Sequence, residues 1–329
     1  MSKRSAILLV GGRGTRLQPL TNHTPKPMLQ VAGVPFTEHQ ILKARDAGID
    51  EIVLATSFKA ELFQPYFGDG RDFGISIKYA LEEVALGTGG AISNAAQMLS
   101  GSGPVAVFNG DVLSGHDLDG QFKFHELKGA DVTLYLTQVA DARAFGAVEL
   151  ESSGKVFAFN EKMENPPTNI INAGCYIFNR EVITKIPSGE IVSVERETFP
   201  SLLKNGAKVF GYIDSAYWLD IGTPAALLKA SQDLISGEIY SPATPIQKGS
   251  KSGEAYLALE GSSIAPNATI SGGSVIGRES IVRADALVSG CVIGAGCVIG
   301  AGAKLTNCFV SDNYEVPASF IAEGIYFGF

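Results

Sequence analysis

Two sets of residues in this chain have the types and spacing to do chemistry. The first is GGRGTRLQPLTNHTPKPM at 11–28. Gly11, Gly12 and Gly14 let the backbone turn tightly and bring its N–H groups close to an anion. Arg13, Arg16 and Lys26 accompany that turn, and Pro25 and Pro27 restrict the backbone on both sides of the lysine. It is not a dinucleotide fingerprint, because Leu17 stands where a third glycine would be needed, and no G-K-[ST] follows at Walker spacing. A Gly-rich turn with three cations predicts a polyphosphate cradle. The second set is a pair of acids. Asp111 follows Asn109 and Gly110 at the end of an apolar run, and Asp220 follows Trp218 and Leu219. Either alone is an ordinary turn or N-cap residue. Together, from distant parts of the chain, they suit Mg²⁺, which takes few protein ligands and keeps waters and phosphate oxygens.

Positioning such groups requires a sheet. Ala6–Val10, Glu51–Thr56, Ser76–Leu81 and Val105–Asn109 are short aliphatic runs bounded by Gly or polar turns, the pattern of buried strands. Helix-period stretches lie between or after them at Glu38–Ala47, Lys59–Phe67, Gly90–Leu99 and Gln121–Leu127. This alternation predicts parallel β-α-β units, a Rossmann-like, doubly wound α/β sheet, with Asp111 at its carboxyl edge, where such sheets bind ligands. From Asp131 the chain becomes strand-rich, at Val132–Val139, Ala147–Leu150, Val156–Phe159 and Ala173–Phe178, making the sheet mixed. A last helix is predicted over Thr223–Ile235.

After Gly237 the period changes to six. Ile264, Ile270, Ile276, Val282 and Val288 are six apart, and after a slip of one residue Ile293, Ile299 and Leu305 resume the interval. GCVIGA occurs twice in tandem at 290–301. This period fits neither a helix nor a flat strand; it predicts a short left-handed parallel β-helix. The expected organisation is therefore a catalytic domain at 1–236, a linker at 237–258 and a β-helix at 259–329. Its C-terminal SFIAEGIYFGF is too apolar for a free tail, so it is expected to pack on the β-helix or in a subunit interface of a homo-oligomer.

Composition narrows the classes further. The chain has 329 residues, and a 45% hydrophobic content is too high for disorder. A net charge of −8 disfavours broad nucleic-acid binding, so an anionic ligand needs a local basic site or a metal. No apolar run near the N-terminus has the length of a membrane span or a signal-peptide core, and a cytoplasmic protein is expected. Cys175, Cys291, Cys297 and Cys308 form no C-x-x-C and are read as small core residues.

At this point the chain resembles the sugar-1-phosphate nucleotidyltransferases. Their G-x-G-T-R-L-x-P-L-T followed by P-K-P stands here at 12–27, and the likeness continues through LGTGGAI (86–92), FNGD (108–111), FGAVEL (145–150), NEK (160–162), INAGCY (171–176) and WLDIGTP (218–224). GHDL, SVERETFP and YWLDIGTP look most like the bacterial mannose-1-phosphate guanylyltransferases. The resemblance implies attack of a sugar 1-phosphate oxygen on the α-phosphorus of an NTP, with release of pyrophosphate. That nucleophile is already an anion, so the chemistry needs alignment and charge stabilisation rather than a base.

The resemblance also implies roles. Arg16 stabilises the α-phosphate, backbone from Gly12 to Thr15 holds the outer phosphates, and Lys26 contacts phosphate in the reacting region. Gly11, Arg13, Gly87, Thr88 and Asn109 join the nucleotide set, and Asp111 and Asp220 hold Mg²⁺. Lys162 grips the sugar phosphate, Glu161 and Asn172 take sugar hydroxyls, and Gly146 offers a backbone contact. Met163 stands where the family often has proline after that lysine.

The base is read at Glu82. Thymidylyl and uridylyl members tend to carry Gln five residues before the glycine matching Gly87. An amide matches the one N–H between two carbonyls of thymine or uracil. A carboxylate matches the adjacent N1–H and N2–H₂ donors of guanine, so GTP is the expected nucleotide. Mannose rests on the overall likeness. A thymidylyl or uridylyl enzyme acting on glucose 1-phosphate is the alternative. A non-catalytic regulatory subunit would be expected to lose Arg16, Lys26, Asp111 and Asp220, all present here. An acyltransferase in the β-helix usually needs a His base, and no His follows His125.

Overall fold

The structure, a computed structural model, describes residues 3–245, 248–251 and 254–329. Strands β1 (Arg4–Leu9), β2 (Ile49–Thr56), β3 (Ser76–Leu81) and β4 (Val105–Asn109) are parallel and lie in the order β4-β1-β2-β3. Helix α1 (Phe36–Asp46) connects β1 to β2, α2 (Gly87–Ala96) connects β3 to β4, and α3 (Leu118–Lys128) follows β4. The chain therefore leaves β1 in one direction and returns on its other side at β4. The gap between those two strands is the topological switch point, where their outgoing loops part and leave a crevice.

One expected helix is not continuous. The segment 59–67 holds a 3₁₀ turn (Ala60–Leu62) and a single helical turn (Gln64–Phe67), because Lys59 takes φ 54° and Pro65 removes a donor.

Beyond β4 the sheet becomes mixed, as the strand-rich sequence implies. It adds β5 (Val132–Gln138), β6 (Gly146–Leu150), β7 (Val156–Glu161), β8 (Ile170–Phe178) and β9 (Val209–Ile213). Strand β8 runs antiparallel to β4, and the path is β7-β6-β8-β4-β1-β2-β3, with β5 pairing β8 and β9. Ile7, Val53, Val107, Leu134, Tyr176 and Phe199 belong to one buried cluster over this sheet.

The chain divides into two compact units, Met1–Gly12 with Gln40–Trp218, and Arg13–His39 with Leu219–Phe329. This cut differs from the composition boundaries at 236 and 258. Helix α4 (Pro224–Ser236) goes with the β-helix, where the Gln232 amide donates to the Gly290 carbonyl at 3.1 Å, and Ser231 Oγ accepts the Ala32 N–H at 3.0 Å. Within the expected linker, Lys248–Lys251 and Glu254–Ala258 pair antiparallel, and Leu257 opens the first β-helix sheet beside Val275. Residues 246, 247, 252 and 253 of that linker lie outside the described residues.

Three sheets of stacked parallel strands form the left-handed β-helix. Ile270, Ile276, Val282, Val288, Ile293, Ile299 and Leu305 are buried in its interior, with Ile264 half-buried. The one-residue slip seen after Val288 is a regular feature: Ile276, Ile293, Val310 and Phe327 stack in register, 17 residues apart. One side of each of these coils is a residue short, and its corner residues Gly290, Asn307 and Gly324 all take positive φ. The apolar C-terminus is itself the last coil, with Ala322 and Phe327 inside it. All four cysteines are free and buried. Among the described residues, no helix is long and apolar enough to cross a membrane.

Candidate functional site

In the first unit, four carboxyl-terminal strand ends carry candidate residues. Gly11 and Gly12 follow β1, Ser57 follows β2, Glu82 follows β3, and Asn109 ends β4 just before Asp111. Ser57 Oγ donates to the Gly11 carbonyl at 2.7 Å and fills the space a Gly11 Cβ would need. A Cβ on Gly12 would meet nothing within 4 Å, so the chain's own packing does not demand glycine there and the space beside it is open. Gly110 donates its N–H to the Leu9 carbonyl at 3.0 Å, and a side chain on it would strike that same oxygen. The turn carrying Asp111 is thus pressed directly against the end of β1, at the switch point.

Glu82 is buried at 8% exposure, and its Oε2 accepts the Leu86 N–H at 3.0 Å. Burial pushes its carboxyl above the ordinary range, and the Leu86 bond opposes that shift. Gly87 and Thr88, which the resemblance implies as nucleotide contacts, also have neighbours within the chain. A Gly87 Cβ would sit 2.6 Å from the Val192 carbonyl oxygen, so packing within the chain explains that glycine. The Thr88 hydroxyl donates to Glu195 Oε2 at 2.8 Å and accepts the Val194 N–H at 2.9 Å, so it already has protein partners.

The sugar-side candidates gather around Glu161. Gly146 pairs with Glu161 across β6 and β7, and its missing side chain makes room for Glu161 Oε2, which would lie 2.9 Å from a Cβ there. Lys162 Nζ lies 3.5 Å from Glu161 Oε1 with its head largely exposed, and Lys162 itself takes φ 51°. A left-handed lysine is uncommon and marks a turn held by its surroundings, here by its N–H bond to the Phe145 carbonyl at 3.1 Å. Burial raises the Glu161 pKa; Lys162 opposes this and the charge of Glu195 adds to it. Asn172 is engaged at both ends, donating to the Tyr176 hydroxyl at 2.9 Å and accepting the Gly174 N–H at 3.1 Å. These bonds hold Asn172 at the irregularity in β8 and leave its second amide N–H to be donated.

Three residues near these groups carried no signal of their own. Gln40 donates to the backbone beside Asp111, and Glu195 and Arg196 act electrostatically on Glu161. Glu195 and Arg196 lie inside SVERETFP, on one π-helical turn (Val194–Thr198) whose Ser193 cap accepts the Arg196 N–H. Nothing in their spacing announced a site.

The second unit holds Arg13, Gly14, Thr15, Arg16, Lys26 and Asp220. Gly14 takes φ 61° and opens a 3₁₀ turn, Thr15–Leu17. A Cβ on it would come 2.8 Å from the Lys26 Cβ, so the loop lies directly over the Lys26 stem. Lys26 is buried at 8% exposure in a 3₁₀ turn that follows Pro25, as the proline bracket predicts. The Arg16 guanidinium lies against Gly222, with three of its atoms 3.1–3.2 Å from where a Gly222 Cβ would be. Arg16 therefore packs against the glycine that stands two residues after Asp220. Among the described residues no three His, Cys, Asp or Glu side chains gather as a metal cage. Mg²⁺ needs none, since one or two carboxylates with substrate phosphates and water complete its shell.

Residues 5–237 match the nucleotidyl transferase family. A mannose-1-phosphate guanylyltransferase of Mycobacterium tuberculosis is 48% identical over 82% of this chain and 74% of that one. A D-glycero-alpha-D-manno-heptose 1-phosphate guanylyltransferase of Aneurinibacillus thermoaerophilus is 37% identical over 70% of this chain and 97% of its own length. Among solved structures, HddC from Yersinia pseudotuberculosis complexed with GMP-PN superposes with a TM-score of 0.58 at 29% identity, covering 70% of this chain and 98% of that chain. With this match over most of its length, the chain belongs to the nucleotidyl transferase family.

Proposed function

We propose that the chain transfers a guanylyl group from GTP to mannose 1-phosphate, giving GDP-mannose and pyrophosphate. A phosphate oxygen of the sugar 1-phosphate attacks the α-phosphorus, and the bond to the bridging oxygen of the leaving pyrophosphate breaks. Arg16 and Lys26 balance charge on the reacting phosphates, with backbone from Gly11 to Thr15 on the outer ones. Lys162 pairs with the sugar phosphate, and Glu161, Asn172 and the Gly146 backbone orient the sugar. The sequence assigns a divalent cation, Mg²⁺, to the carboxylates of Asp111 and Asp220; when bound, it neutralises phosphate charge as the transition state forms.

The observation that carries the guanine reading is Glu82. Its carboxylate ends β3, is buried, and is held through one oxygen by Leu86, leaving the other to accept a donor. The GMP-PN complex of HddC and the guanylyltransferase relatives support the same base. A homo-oligomer belongs to this reading, since Ile281, Leu287, Ile321 and Ile325 stand exposed on the β-helix.

Pyrophosphate release with GTP, ATP, UTP and dTTP, each offered mannose, manno-heptose and glucose 1-phosphates with Mg²⁺, tests the proposal. GTP with mannose 1-phosphate is expected to be fastest. Faster turnover of dTTP or UTP would overturn the base assignment, and a preference for the heptose would reassign the sugar.

A further inference from the structure

Gln40 is buried on α1 at 6% exposure, and its side-chain amide points both donors at one short segment. Nε2 donates to the Asn109 carbonyl at 2.8 Å and to the Val112 carbonyl at 3.1 Å. Those two carbonyls flank Gly110 and Asp111. The amide orientation is set by chemistry, since the flipped amide would set Oε1 against two carbonyl oxygens. Oε1 is buried with no hydrogen-bond partner among the described residues, so the amide is held through its two donors alone. From the other side, the Gly110 N–H is bonded to the Leu9 carbonyl at 3.0 Å. One turn further along α1, Lys43 continues the clamp, donating to the Ser114 carbonyl at 2.6 Å.

We propose that Gln40 is a positioning residue for Asp111: its two hydrogen bonds fix the turn that aims this carboxylate, and so set cation affinity and the rate of transfer. The inference rests on the cation-binding role assigned to Asp111 above. A carboxylate on a glycine-containing turn has many orientations open to it, and holding the flanking carbonyls removes most of them before the ligand arrives.

Gln40→Met keeps the side-chain length and removes both donors. It is expected to lower kcat and to weaken Mn²⁺ binding, measured by water-proton relaxation with GTP and no sugar 1-phosphate present. Both effects should be on the order of 10-fold, while KM for mannose 1-phosphate stays near wild type; the thermal midpoint should fall, because two carbonyls lose their donor. Gln40→Glu is the second variant. At neutral pH it should lose activity equally, and it should regain part of it on acidification, because a protonated carboxyl donates one hydrogen bond. Wild-type Mn²⁺ affinity in both variants would overturn the proposal, as would a fall in kcat with that affinity unchanged. If the wild-type protein turned over no GTP, the functional reading would fail instead, and the Mn²⁺ titration would still report on Gln40.

Discussion

The Leu86 N–H donates to Glu82 Oε2 at 3.0 Å, closing a short loop on the carboxylate that ends β3. The bond fixes one oxygen and with it the plane of the carboxyl. Glu82→Gln can keep this bond through its amide oxygen while presenting NH₂ in place of the second oxygen. It is expected to lower kcat/KM for GTP by roughly 100-fold, the scale of a hydrogen-bonding mismatch in a buried site, and to raise the relative rate with UTP and dTTP. A panel of the four NTPs with the variant measures both.

Gly222 offers a test of Arg16 that leaves the arginine in place. An added Cβ would lie 3.1–3.2 Å from three atoms of the guanidinium, its nearest neighbours, so the arginine head must yield. Gly222→Ala is therefore expected to reduce kcat by about 10-fold or more through displacement of a charge-stabilising group, with the thermal midpoint near wild type. Steady-state kinetics beside a melting curve will read the split.

His39 makes stability depend on pH. It bonds to Ser241 Oγ at 2.7 Å and to the Val31 carbonyl at 2.9 Å, and burial lowers its pKa from 6.5 to about 4, against the Val31 bond. The native imidazole stays neutral while the unfolded chain takes up a proton below pH 6.5. The stability it supports is therefore present at pH 7 and is lost as pH falls from 6.5 toward 4. The loss between pH 7 and pH 5 should be about 2 kcal/mol. Denaturation curves at the two pH values should show that slope in the wild type and a flatter one in His39→Gln.

Much of the architecture is legible in the sequence because it follows local rules. Short aliphatic runs became β1 to β4, and six-residue spacing became a β-helix. The single slip after Val288 hid a repeat, because recognising a short side in every coil requires seeing Asn307 and Gly324 at the same corner as Gly290. Polar residues after Gly237 read as a linker, whereas the fold pairs Lys248–Lys251 with Glu254–Leu257 and sets Leu257 beside Val275, a contact distant in sequence.

The candidate site divides the same way. The chemistry proposed for Gly12, Arg16, Lys26 and Asp111 follows from residue type and spacing, since an anion needs N–H groups and cations, whereas the reading of Glu82 rests on resemblance to the family. The partners that hold these groups follow from contacts between residues far apart in the chain. Only the fold brings Gln40 to the carbonyls around Asp111, Gly222 to Arg16, and Glu195 to Thr88. It also seats Val192 against Gly87 and gives Asn172 partners at both ends. Residue types determine which chemistry is available, because that depends on local groups and charge. Where those groups are aimed was decided by tertiary packing, because orientation depends on donors and acceptors that the sequence keeps tens of residues apart.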